Sequence, residues 1–442
     1  MAIQPADVGL LKNHRFRRLL ESRLLGQVAQ NALVYSLLIL VVEETGSSVQ
    51  IAILLCAFTL PGIILAVPAG AVADILPKQL TLTTGYLLRA AIAAALARYH
   101  GDLAFVYLLA AASAAVGQVF SPAEAAAVPA LVRRDQLTAA NSWMLLALVL
   151  GQVLGLVVLA PLLLKILDPQ AVFAACAVLF LGATGVIGWV AGGFSGSGSP
   201  RSASSGFLDF AREGFRILGA NRDAYLATVY LTTAIALSRA LVVLLPNYTE
   251  DVLNIKAEDT VFVAAPAAIG AGAGLLFAPL LARIIGSRRS VVLGFVMFLL
   301  SVIALCVVVY ARDFLHDHTH LEPGINFVET EVGVSSVITV TMLLAIPLGF
   351  AFTLLSIAAR VVMNEEVPPE AQGRVFAVQM ALGDLCSLPP LLAAGIAADA
   401  VGERPALLVA AITTVVIVTL LTFSRRLEQP RGTPLPVPGP AP

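Results

Sequence analysis

The chain is a succession of long apolar runs with almost nothing charged inside them. Twelve stretches of about 20 residues, the length a helix needs to cross a bilayer, follow one another with short polar segments between. They cover 19–42, 50–73, 80–98, 103–127, 139–165 and 170–193, then 224–246, 260–285, 290–310, 333–360, 373–398 and 405–424. Of the 442 residues 59% are apolar and 12% charged, against about 25% charged in soluble proteins. Mean hydropathy is +0.91. So few polar residues cannot cover the surface of a soluble fold of this size. A bilayer removes that requirement, and helices then satisfy their own backbones inside it. The chain therefore reads as an all-α membrane protein with twelve transmembrane helices in two six-helix halves.

The polar segments divide it further. Residues 1–18 form an N-terminal lead, 19–193 a first six-helix bundle, 194–223 a linker, 224–424 a second bundle, and 425–442 a Pro-rich tail read as disordered. The linker opens as FSGSGSPRSASSG, a flexible composition, and continues as FLDFAREGFRIL. There Phe207, Phe210, Ala211, Gly214, Phe215 and Leu218 share one helical face, opposite Asp209, Arg212, Glu213 and Arg216. That pattern predicts a helix lying on the membrane surface. With both termini on one side, 20 of the 27 basic residues fall on that side, Arg23 among them, and five on the other. The asymmetry makes the termini cytoplasmic and points to a plasma (inner) membrane. Compact loops suggest a prokaryotic source, and the chain reads as a monomer.

Charges inside spans are costly, about 2.5–3.5 kcal/mol each on insertion scales, so they mark partners or wet cavities. Arg239 in the seventh span and Asp384 in the eleventh form one such set. Either they make a structural ion pair, or Arg239 binds an anionic headgroup while Asp384 carries a proton or helps hold a cation; a guanidinium fork suits phosphate. Arg89 and Glu124 form a second set, read as structure or gating at the inner ends. In the first span Gln27, Asn31 and Tyr35 recur every four residues and share a face, with Gln30 nearby; these are expected to line a cavity. Gln118, Asn141 and Gln152 read as packing groups. Gly151 with Gly155, and Gly270 with Gly274, have the spacing of close helix packing.

The two halves echo each other. VPALVRRDQLTAAN at 128–141 follows the fourth span, and VPPEAQGRVFAVQ at 367–379 follows the tenth. Each reads as a Val-Pro turn into the next helix, and repeated halves of this kind enclose a central site in many secondary transporters. The loop GAVADILPK at 70–78 sits after the second span. On these features the chain resembles the major facilitator superfamily over nearly its whole length. Gly70, Asp74 and Lys78 match the superfamily's loop signature, while Ile75, Pro77 and Gln79 depart from it. The counterpart loop keeps Gly286, Arg288 and Arg289. The resemblance implies the major facilitator fold and a latch at Gly70, Asp74 and Lys78, with Arg89 and Glu124 in the same gating network. QNALVYSLLIL (30–40), FSPAEAAAVPALV (120–132), LSRALVVLLPNY (237–248) and AVQMALGDLCSL (377–388) are similar to the lysophospholipid transporter family. Gln30 stands where that family usually has an acidic residue, and Glu124 where it often has a basic one.

Several classes are excluded. None of the four lysines follows a glycine, so there is no phosphate loop for an ATP-driven pump. No metal or cofactor motif is present; His316, Asp317, His318 and His320 read as a solvated loop. Cys56, Cys176, Cys306 and Cys386 lie in apolar runs and read as small core residues. Net charge is -1 and gives no sign of a nucleic-acid partner. The expectation is a transporter rather than an enzyme, working by alternating access on a lysolipid or other small amphiphile, with a proton or sodium ion as coupling partner. The alternative is efflux of hydrophobic drugs or metabolites.

Overall fold

The computed structural model describes residues 10–98, 101–133, 136–188, 207–251, 256, 260–318 and 336–428. Among the described residues every predicted span falls on helix. The first bundle holds α1 (His14–Thr45), α2 (Ser48–Ile75), α3 (Lys78–Leu96) and α4 (Leu103–Leu131). Its fifth span is α5 (Leu137–Gln152), a π-helical stretch Val153–Leu159 and α6 (Ala160–Ile166). Its sixth is α7 (Pro169–Gly188). The amphipathic segment is α8 (Phe207–Ala220). The second bundle holds α9 (Arg222–Asp251), α10 (Thr260–Ile285), α11 (Ser287–His318), α12 (Ser336–Glu366), α13 (Pro369–Val401) and α14 (Glu403–Glu428). Among the described residues ten helices are long and apolar enough to cross a membrane; α3 and α14 complete the twelve. Residues 189–206 (the end of the sixth predicted span and the start of the linker), the tail from 429, and His320 lie outside the described residues, as do the side chains of His316, Asp317 and His318.

Local chemistry sets the helix ends. Asn13 caps α1, its side chain accepting from the backbone N–H of Arg15 and Phe16. Gly46 closes α1 at φ 58°, a left-handed conformation that glycine adopts without strain. Asp102 caps α4 in the same way as Asn13 caps α1. One expected turn is absent: α4 runs through Val128 and Pro129 to Leu131, because neighbouring helices hold a span through proline. The equivalent Val367 and Pro368 do form the turn, with Pro368 at the N-cap of α13. The π stretch in the fifth span ends where Pro161, lacking an N–H, cannot bond the carbonyl four residues back. Pro389 and Pro390 sit inside α13.

The bundles pack with the same pairing. In the first, α1 lies against the fifth span and α7, α2 against α4, and α3 against α4. In the second, α9 lies against α13 and α14, α10 against α12, and α11 against α12. The seam between halves joins α2 to α13 and the π stretch to α10. Glycines bring backbones together inside each half. Gly151 and Gly155 receive Gln27, Val28 and Asn31 of α1, while Gly270 and Gly274 receive Ile346, Phe350 and Thr353 of α12. A methyl on Gly270 would run into the Ile346 carbonyl, whereas one on Gly272 meets open space. Gly270→Ala is therefore expected to destabilise by about 1–3 kcal/mol and Gly272→Ala hardly at all, read as melting temperatures in detergent.

Candidate functional site

Arg239 stands seventeen residues into α9, well inside the membrane. Its guanidinium pairs with Asp384 of α13 and donates to Ser387 Oγ at 2.6 Å. The same group donates to Thr59 Oγ1 of α2 at 3.4 Å, across the seam. Ser387 Oγ in turn donates to the Asp384 carbonyl at 2.8 Å, and Thr59 Oγ1 to the Leu55 carbonyl at 2.8 Å. The fork thus touches both halves at one point. Gly62 of α2 leaves room beside it: a methyl there would lie 3.2 Å from Gln118 Nε2 and 3.9 Å from Asp384 Oδ2. Gln118, read from the sequence as a packing group, therefore reaches the same spot from α4. The two charged side chains keep 29% and 36% of their surface accessible, so the pair is not sealed into the core.

The other predicted positions distribute differently. Gln27 and Asn31 face the fifth span at Gly151 and Gly155, and Asn31 Nδ2 donates to the Gln27 carbonyl at 2.8 Å. They serve packing within the first half. Tyr35, expected on the same cavity face, is a buried core residue instead. Gln30 is half-buried, and its Oε1 is buried without a partner. Of the four cysteines, Cys176 and Cys306 are buried as expected, while Cys56 is intermediate and Cys386 is exposed, the latter because it stands on the wall of a cavity.

Glu124 pairs with Arg23 rather than with Arg89. Arg23 counts among the basic residues on the cytoplasmic side. In fact the long α1 carries it into the bundle, where Nε also donates to the Met144 carbonyl at 3.1 Å. Arg89 is only 9% exposed and lies 4.8 Å from the Phe120 ring centroid, a cation–π contact, with Nε unpartnered. Tyr86 OH closes the cluster by donating to the Ser22 carbonyl at 2.9 Å. Glu124→Leu leaves the buried Arg23 guanidinium without its carboxylate and is expected to cost about 3–5 kcal/mol. Adding Arg23→Leu is expected to restore most of the lost melting temperature.

Lys78 opens α3 directly after Pro77 and is half-buried. Gly70 and Asp74 lie in the last turns of α2, and their side chains fall outside the described residues. In the second half, Gly286 turns the chain at φ 89° and Arg288 pairs with Asp223 at 2.7 Å and with Glu366.

A seam contact that the sequence did not reveal lies at the end opposite the termini. Asp399, near the end of α13, accepts from Ser47 Oγ, Ser48 N at 2.7 Å and Val49 N at 3.3 Å. These are free donors at the start of α2, so a carboxylate of one half caps a helix of the other. Glu403 accepts from Ser48 Oγ at 3.2 Å. Asn247 of α9 donates to the same hydroxyl at 2.9 Å and to the Gly46 carbonyl at 3.3 Å. Gly395 lets the two helices approach at the Ser48 backbone.

Two six-helix bundles with matching pairing thus meet at one end and are bridged by a charged group at mid-depth. The Major Facilitator Superfamily model matches residues 24–390. The chain belongs to the major facilitator superfamily. It is a multi-pass membrane transporter and not an enzyme. Among solved superfamily structures, it superposes on a bacterial homologue of the human lysosomal transporter Spinster, in an inward-facing and unoccupied conformation. The TM-score there is 0.72, with 12% identity over 96% of this chain and 98% of that one. The nucleoside transporter NupG gives a TM-score of 0.67, with 13% identity over 94% of this chain and 100% of that one. At such identities the likeness is one of fold. No curated protein matches the sequence.

Proposed function

We propose that this superfamily member is a secondary transporter of lysophospholipids or related single-chain amphiphiles. It exposes one central site alternately to the two sides of the plasma membrane. The observation that carries the reading is the Arg239 fork, held at mid-depth by Asp384 and Ser387 from one half and Thr59 from the other. A phosphate headgroup has the geometry and charge to take the fork from Asp384 and Thr59. Arrival of the anion frees Asp384 to take up the coupling proton or sodium ion. Because Thr59 belongs to the other half, exchanging it for substrate changes what joins the halves.

The charge asymmetry of the loops supports cytoplasmic termini. On that orientation the end sealed by Asp399 faces outward, and the conformation is inward-facing, the state named for the Spinster homologue. The Gly70, Asp74 and Lys78 loop is then the latch of the opposite state, free to engage when the inner ends close.

The test is uptake of labelled lysophosphatidylethanolamine into proteoliposomes, with and without proton and sodium gradients, for wild type and Arg239→Ala. Uptake in wild type that is lost in the variant supports the reading. A folded, reconstituted wild type that moves no lysolipid would overturn it and direct the search to efflux of hydrophobic small molecules.

A further inference from the structure

Among the described residues, five charged side chains stand buried or half-buried inside the spans: Arg23, Arg89, Glu124, Arg239 and Asp384. Three are guanidiniums and two are carboxylates. Asp384 is bonded to Arg239 and Glu124 to Arg23, so the charge left over is that of Arg89. Its Nε is sealed away without a partner. Its neighbours are the face of the Phe120 ring and, at the Nη2 end, Gly117 of α4. A ring face attracts a cation but does not cancel its charge, and a guanidinium stays charged. The interior therefore carries one positive charge more than its acids neutralise.

That charge stands beside the central site. Gly117 and Gln118 are consecutive on α4. Arg89 Nη2 lies 3.0 Å from the place a methyl on Gly117 would take, while Gln118 Nε2 reaches the spot that Gly62 leaves open next to Asp384. One turn of α4 thus has the unmatched cation on one side and the Arg239–Asp384 pair on the other. A charge inside a membrane is costly, and its field carries farther there than in water. An anion arriving at the central site offsets it.

We propose, building on the lysolipid reading above, that Arg89 makes the central site select cargo of net negative charge: a single-chain phospholipid whose headgroup carries phosphate and no cation. The phosphate takes the Arg239 fork, and Arg89 sets the preference through its field without touching the cargo. Lysophosphatidylglycerol brings one negative charge into that field and gains. Lysophosphatidylethanolamine brings a phosphate and an ammonium, whose interactions with Arg89 nearly cancel. For unit charges about 10 Å apart at an effective dielectric near 20, the difference is about tenfold in occupancy.

Competition for uptake into proteoliposomes tests this. Labelled lysophosphatidylglycerol is displaced by unlabelled lysophosphatidylglycerol or by lysophosphatidylethanolamine with the same acyl chain. Both competitors meet the same protein, so their ratio does not depend on how much of it is folded. Wild type is expected to prefer lysophosphatidylglycerol about tenfold. Arg89→Gln should bring the two within about twofold, by weakening lysophosphatidylglycerol and leaving lysophosphatidylethanolamine nearly unchanged; a purely structural loss would weaken both. Arg89→Lys keeps the charge and should keep the preference. Gly117→Asp sets a carboxylate against Arg89 Nη2 and cancels the charge with the guanidinium in place, so it should also abolish the preference, and it serves should Arg89→Gln fail to fold. Equal competition by the two lysolipids in wild type, or a preference that survives in a folded Arg89→Gln or Gly117→Asp, would overturn the role of Arg89 and leave the lysolipid reading standing. A wild type that moves neither lysolipid overturns that reading and this inference with it.

Discussion

Arg239→Leu is expected to reduce lysolipid uptake by at least about a hundredfold, corresponding to roughly 2.7 kcal/mol. The variant loses charge-assisted bonds to Asp384 and Ser387 and the bond to Thr59, each charged one worth about 1.5–3 kcal/mol. It also strands Asp384 as a lone carboxylate inside the membrane. Stability and transport should then separate in the double variant. Arg239→Leu with Asp384→Leu removes both charges, so melting temperature should recover toward wild type. Uptake should stay lost, because nothing remains to hold the headgroup. A double variant that transports would reduce the pair to a structural ion bridge and sink the assignment of substrate to this fork. Arg239→Lys should fall between, keeping the charge but not the two-pronged geometry.

Asp399→Ala is expected to open the far end of the seam. The residue caps the first turn of α2 from the other half. An N-cap carboxylate contributes about 0.5–2 kcal/mol, and the helix dipole adds about 0.3–1 kcal/mol. A loss of about 1.4 kcal/mol shifts the balance between the two conformations tenfold. Spin labels at Glu44 and Val401, both exposed near this end, would report it. Their distance distribution should gain a longer component in the variant. Asp399→Asn should shift it less, since its amide oxygen still accepts. No change in Asp399→Ala would mean that Glu403, Asn247 and the Gly395 contact hold the end closed without it.

The spans were legible because twelve apolar runs have only one way to be buried, and the signal is the length of each run. Arg239 and Asp384 were legible as a pair for the same reason: two charges inside the membrane must find each other or water. Thr59 and Gln118 were not, since hydroxyls and amides are common in spans and nothing in a single helix says which neighbour they meet. Periodicity placed Gln27, Asn31 and Tyr35 on one face correctly as geometry, but it does not say whether that face looks into a cavity or at Gly151 and Gly155. Arg23 was counted with the cytoplasmic basic residues, and nothing in one helix says that its charge turns inward to Glu124. The Asp399 cap was invisible, as the two helix ends it joins are some 350 residues apart in sequence. Ser387 could have been found: it sits one turn beyond Asp384 on the same helix.

Asp384 and Asp399 ride on one helix, and Pro389 and Pro390 lie between them. Neither proline has an N–H to offer, so the carbonyls of Leu385 and Cys386 lose their usual donors, and α13 is two hydrogen bonds short at a single place. A rod weakened at one point flexes there and stays stiff on either side. The segment that holds Arg239 and the segment that clasps α2 are therefore two arms about a shared joint, one ending at the charge and the other at the clasp. A bend at that joint is expected to swing the two ends, roughly 22 Å apart, relative to each other.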